Sequence, residues 1–87
     1  MENIWYIYTV MKCYRHYKGG LYKCIAIAKD SETLQPVVVY QALYGDRLIW
    51  VRDYNMFFGN VVVDGIEKKR FEEVEIDEGG IINQWED

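Results

Sequence analysis

The sequence predicts a mainly β domain of five to six short strands with one short helical turn. Three observations carry this. Apolar residues fall in short blocks rich in β-branched and aromatic types. Turn residues punctuate those blocks at even spacing, at Lys18-Gly19-Gly20, Gly45-Asp46 and Asp64-Gly65. With 87 residues the chain makes one domain and is too short for a second core. Even spacing around a single helical turn suggests a small closed or half-closed barrel of SH3-like type.

Each element has a local reason. Residues 4–10 (IWYIYTV) are β-branched and aromatic and read as a strand. Residues 21–28 form a second strand, with Lys23, Ile25 and Ile27 on one face and Tyr22, Cys24, Ala26 and Ala28 on the other. A polar loop over 30–35 ends at Pro36, and 37–43 (VVVYQAL) is the most apolar run, a central strand. Residues 47–52 (RLIWVR) pair back on it, and 53–58 (DYNMFF) make one helical turn with Asp53 as N-cap. Gly59 breaks that turn, and 60–63 and 67–71 flank the hairpin signal Asp64-Gly65. The rings of Trp5, Tyr6 and Tyr8 exceed what a small barrel covers easily. The first strand is therefore expected to extend the sheet or build a homo-oligomer interface, or else to cap the barrel within one chain.

Charge is distributed unevenly. The net charge is −4, yet the acidic tail over 72–87 carries seven acids and no Lys or Arg, while the remaining chain carries all 10 basic groups. Between Asn3 and Lys29 stand five Lys or Arg and no acid, which predicts a positive field on the first third of the fold. Cys13 and Cys24 have neither CxxC spacing nor enough histidines for a zinc set, and are expected to be free packing thiols. No apolar run approaches the roughly 20 residues of a membrane span. The run near the start follows an acidic Glu2, unlike an export signal, so a cytoplasmic location is expected.

Several blocks resemble a known family. These are YRHYKGG (14–20), DSETLQPVVVYQALYG (30–45), LIWVR (48–52) and Asn55-Met56-Phe57-Phe58. Together they are similar to a family of small bacterial and phage proteins catalogued as a domain of unknown function. The resemblance implies a compact SH3-like β domain and supplies no activity, cofactor or catalytic residue. It makes 14–71 the family core, with 1–12 an added N-terminal strand and 72–87 an added tail. Members usually place a Pro-Leu-Glu stretch before the Met-Phe pair, where this chain has Asp53-Tyr54-Asn55.

A fold needs apolar residues and glycines; it does not need Tyr, Arg, Lys, His and Gln in the density these blocks show. Aromatic faces stack planar rings, Arg and Lys bind phosphate, and Gln serves a base edge or ribose hydroxyl. The ligand-binding candidates are Arg15, His16, Lys18, Gln41, Tyr44 and Arg52. Strand alternation separates Tyr40 from Gln41, so not all can share one pocket. With one histidine and no GxSxG, Walker, Rossmann or metal motif, no enzyme and no cofactor are predicted.

The expected function is non-enzymatic binding or sequestration of an anionic, nucleotide-derived small molecule; in a phage, the use would be trapping a host immune signal. The alternative is an SH3-like protein-interaction module whose acidic tail mimics nucleic acid. Single-stranded nucleic-acid binding is a third reading, opposed by the tail's charge.

Overall fold

The computed structural model describes residues 8–75. In chain order it contains β1 (Cys13–His16), β2 (Leu21–Lys29), β3 (Pro36–Ala42), β4 (Ile49–Asp53), α1 (Tyr54–Phe57), β5 (Asn60–Val63), β6 (Ile66–Lys69) and β7 (Phe71–Val74). Five strands form one antiparallel sheet in the order β4-β3-β2-β1-β7. The hairpin β5–β6 stands apart as a two-stranded sheet.

The expected SH3-like barrel is not formed. Closure requires the first and last strands of the sheet to pair, and among the described residues β4 and β7 are its two open ends. The β5–β6 hairpin pairs with itself and does not bridge them. What covers the sheet instead is α1 and a layer of rings. Phe57 of α1 is fully buried and stacks on Phe71 at 3.9 Å and 5°. Tyr14 and Tyr40 meet Phe57 edge-on at 5.2 and 5.1 Å. Val38 and Cys24, both fully buried, complete the core.

Seven strands replace the expected five or six. The two not foreseen are β1 and β7. In CYRH (β1) polar residues interrupt the apolar alternation, and β7 (FEEV) begins the acidic tail; its Phe71 and Val74 are buried, and Glu72 and Glu73 are exposed. The tail thus starts inside the sheet, and Glu73 pairs with Lys12 at 3.1 Å. Of the strand expected over 4–10, residues 4–7 lie outside the described residues, and with them Trp5 and Tyr6 of the expected oligomer interface. Tyr8 and Thr9 are helical, and Met11 turns the chain with φ 74°, its amide donating to the Cys24 carbonyl at 2.7 Å.

A β-bulge between Cys24 and Ala26 also alters β2. One residue is skipped, so Ile27 comes opposite Val38 and joins the core face of Tyr22 and Cys24. The local signals behave as expected. Asp53 caps α1, its carboxylate accepting from the Met56 amide at 3.1 Å. Asp64 and Gly65 both take positive φ, the geometry a two-residue hairpin loop requires. No helix among the described residues is long and apolar enough to cross a membrane.

Candidate functional site: an aromatic cup with a cationic rim

The sheet register assembles a row of functional side chains on its core face. His16 lies opposite Phe71, Tyr22 opposite Ala42, Tyr40 opposite Cys24 and Trp50, and Arg52 opposite Val38. Directly opposed residues share a face, and so do residues two apart on one strand. His16, Tyr22, Tyr40, Trp50, Arg52 and Phe71 consequently line one hollow of about 190 Å³. Tyr40 and Phe71 are buried and form its floor, while Trp50 is half-exposed at its rim. Tyr22 contacts Tyr40 and Phe71 edge-on at 5.3 and 5.7 Å, which fixes the wall between them. The Arg52 Nε donates to the Tyr40 hydroxyl at 3.4 Å.

His16 is held as a neutral imidazole. Its Nδ1 accepts the Lys18 backbone amide at 3.1 Å, which places the ring proton on Nε2. Burial lowers its pKa, and the nearby charges of Arg52, Arg70 and Lys18 lower it further. Tyr22, by contrast, is pushed up to about 12, by burial first and then by its hydrogen bond with the Tyr44 hydroxyl. The cup therefore presents neutral donors and a cationic surround. An NMR titration of His16 is expected to give a midpoint below the ordinary 6.5. The unfolded chain then takes up the proton first, so this histidine's contribution to stability is complete above the unfolded pKa, roughly 6.5. It declines as the pH falls towards the folded pKa and levels off below it. A midpoint at or above the ordinary value would refute the neutral assignment.

The candidate residues divide. His16 and Arg52 line the cup. Tyr44 joins its margin through the Tyr22 hydroxyl, and Lys18 stands in the turn whose amide holds His16. Arg15 lies opposite Leu21 and Glu72, on the other face of the sheet. Gln41 also faces away, its amide donating to the Arg47 carbonyl at 3.0 Å and tying down the β3–β4 loop. In the Gly19-Gly20 turn the Lys18 amide donates to the His16 Nδ1 and the Gly19 amide to the His16 carbonyl. Gly20 has a different role: a Cβ there would lie 3.0 Å from the Tyr44 ring and 3.1 Å from the Tyr22 ring.

Sequence reasoning missed Tyr22, Tyr40, Trp50 and Phe71 as lining residues. In LIWVR, alternation alone puts Trp50 on the face of Arg52, and that signal was available.

Beside the cup lies a second hollow of about 490 Å³, lined by Lys18, Gly19, Gly20, Leu21, Leu43 and Tyr44. Neither hollow has a carboxylate in its wall. Two others do: one contains the Lys12–Glu73 ion pair, and one contains Asp30 and Asp53. The first two thus carry Lys18 and Arg52 with no carboxylate competing for them in the wall. Among the described residues no three His, Cys, Asp or Glu side chains gather to hold a metal ion. Burial raises the pKa of both free thiols, Cys13 and Cys24, which keeps them protonated.

Residues 12–73 match the family described as "Protein of unknown function (DUF1653)". A crystal structure of a DUF1653 protein from Bordetella bronchiseptica is similar to this chain, with 32% identity and a TM-score of 0.63 over 70% of this chain and 81% of that one. No curated protein matches.

Proposed function

The chain belongs to the DUF1653 family, and on that premise we propose that it is a non-enzymatic binding protein for a planar, anionic small molecule of nucleotide type. One observation carries the reading: four rings and an imidazole line an open hollow of about 190 Å³ whose wall holds Arg52 and no carboxylate. The rings supply stacking surface, worth about 1–3 kcal/mol per base. Arg52 supplies a charge-assisted hydrogen bond of about 1.5–3 kcal/mol. The chemistry of the cup favours holding over reacting. His16 has its Nδ1 occupied by a backbone amide, and no carboxylate in the cup orients it as a base. A cytoplasmic setting belongs to the same reading, since the two free thiols suit a reducing compartment.

Isothermal titration of the full chain against a panel of nucleoside monophosphates tests it. At least one is expected to bind, with affinity falling as salt is raised. Arg52→Ala and Trp50→Ala are each expected to weaken binding about tenfold or more, equivalent to about 1.4 kcal/mol. Both side chains are outside the buried core, so the melting temperature should stay within a few degrees. Binding equal to wild type in both variants, or no binding of any member of the panel, would overturn the proposal.

A further inference from the structure

We infer that the ligand spans both hollows, with its ring in the cup and its anionic group beside Lys18, which defines the class as a planar ring joined to a phosphate through a short linker. This rests on the proposed function and specifies it.

The first reason is size. At about 190 Å³ the cup is below the roughly 300–1,000 Å³ of ordinary small-molecule pockets. It accommodates a ring and leaves the rest of a nucleotide outside. The second reason is continuity. Tyr22 lines the cup and Tyr44 lines the neighbouring hollow, and their hydroxyls are hydrogen-bonded to each other. Their rings meet edge-on at 5.6 Å, and Gly20 leaves space where any side chain would press on both. A single tyrosine pair therefore separates the two hollows, its bonded hydroxyls meeting where a sugar joining ring and phosphate would pass.

The third reason is charge. The second hollow, of about 490 Å³, lies at the β1–β2 turn and the end of β3, where Leu21 and Leu43, one residue out of phase with Tyr22 and Ala42, wall it, and it carries one cation, Lys18. The Lys18 Nζ sits 5.8 Å from the Tyr17 ring centroid, and among the described residues no salt bridge engages it. An ammonium that rests over a ring face with no carboxylate partner among the described residues, beside an apolar wall, suits a terminal phosphate better than a second ring. On the cup side, Arg52 faces the ring or its nearest polar edge.

The experiment compares a nucleoside with its 5′-monophosphate by isothermal titration in wild type, Lys18→Met and Trp50→Ala. In wild type the monophosphate is expected to bind about tenfold or more tightly than the nucleoside. Lys18→Met should collapse that ratio towards one. Trp50→Ala should weaken both ligands and leave the ratio intact. If Lys18→Met preserves the ratio while Trp50→Ala weakens both ligands, the anion does not reach Lys18 and the two-hollow inference falls, with the cup reading left standing. If Trp50→Ala has no effect on either ligand, the cup reading itself falls. A short single-stranded oligonucleotide binding far more tightly than the monophosphate would overturn the small-molecule assignment in favour of strand recognition.

Discussion

Phe57→Ala is expected to remove most of the stability of the domain. Phe57 is fully buried, stacks on Phe71 at 3.9 Å, and meets Tyr14, Tyr40 and Phe58 within 5.2 Å. Truncating a buried Phe costs about 3–5 kcal/mol, transfer and cavity terms together. A domain of this size has roughly 5 kcal/mol or little more to lose. The floor of the cup goes with it, because Phe71 is positioned by that stack. Chemical denaturation followed by circular dichroism checks this; a variant retaining near-wild-type midpoint would show that the ring layer is not the core. Phe57→Leu keeps much of the volume and should remain folded with a lowered midpoint, which separates loss of packing from loss of expression.

Gly59→Ala is expected to cost about 1–3 kcal/mol, the usual penalty for overpacking. A Cβ at Gly59 would lie 2.8 Å from the Asn55 carbonyl oxygen, a distance real Cβ atoms do not show. The obstacle is backbone of α1, not the end of a flexible side chain, so relief requires moving the helical turn that carries Phe57. The Gly59 carbonyl also accepts the Arg70 amide at 3.0 Å, which ties the turn to the approach of β7. Thermal unfolding monitored by fluorescence would read the effect; an unchanged melting temperature would mean that α1 shifts freely.

What the sequence disclosed was local. The Asp53 cap, the Asp64-Gly65 loop and the β3 run each depend on residues within a few positions, and each formed where the pattern placed it. What it concealed was long-range. Nothing adjacent to CYRH or FEEV announces that the two pair with each other, since the register joins Cys13 to Val74. With that pairing unseen, a barrel was the natural reading of evenly spaced strands. The site followed the same division. His16 and Arg52 were identified by chemistry, but Arg15 and Gln41 were grouped with them although each sits one residue out of phase with a cup residue, His16 and Tyr40. A one-residue shift on a strand turns a side chain to the other face. The bulge at Cys24 is a further case, because it reassigns Ile27 without any glycine or proline to mark it.

The β1–β7 pairing has a consequence for the order of events during folding. The β2–β3–β4 meander joins neighbours through short loops, so its closure entropy is small. The last strand must instead close a loop that contains nearly all the rest of the domain before its contacts reward it. Phe71, which makes the floor of the cup and the stack on Phe57, arrives only with that strand. A chain emerging from the ribosome can therefore form its central hairpins early and still have no completed pocket. On this topology the hollow is completed last, because His16 gains its wall and Phe57 its stacking partner only once Phe71 has paired.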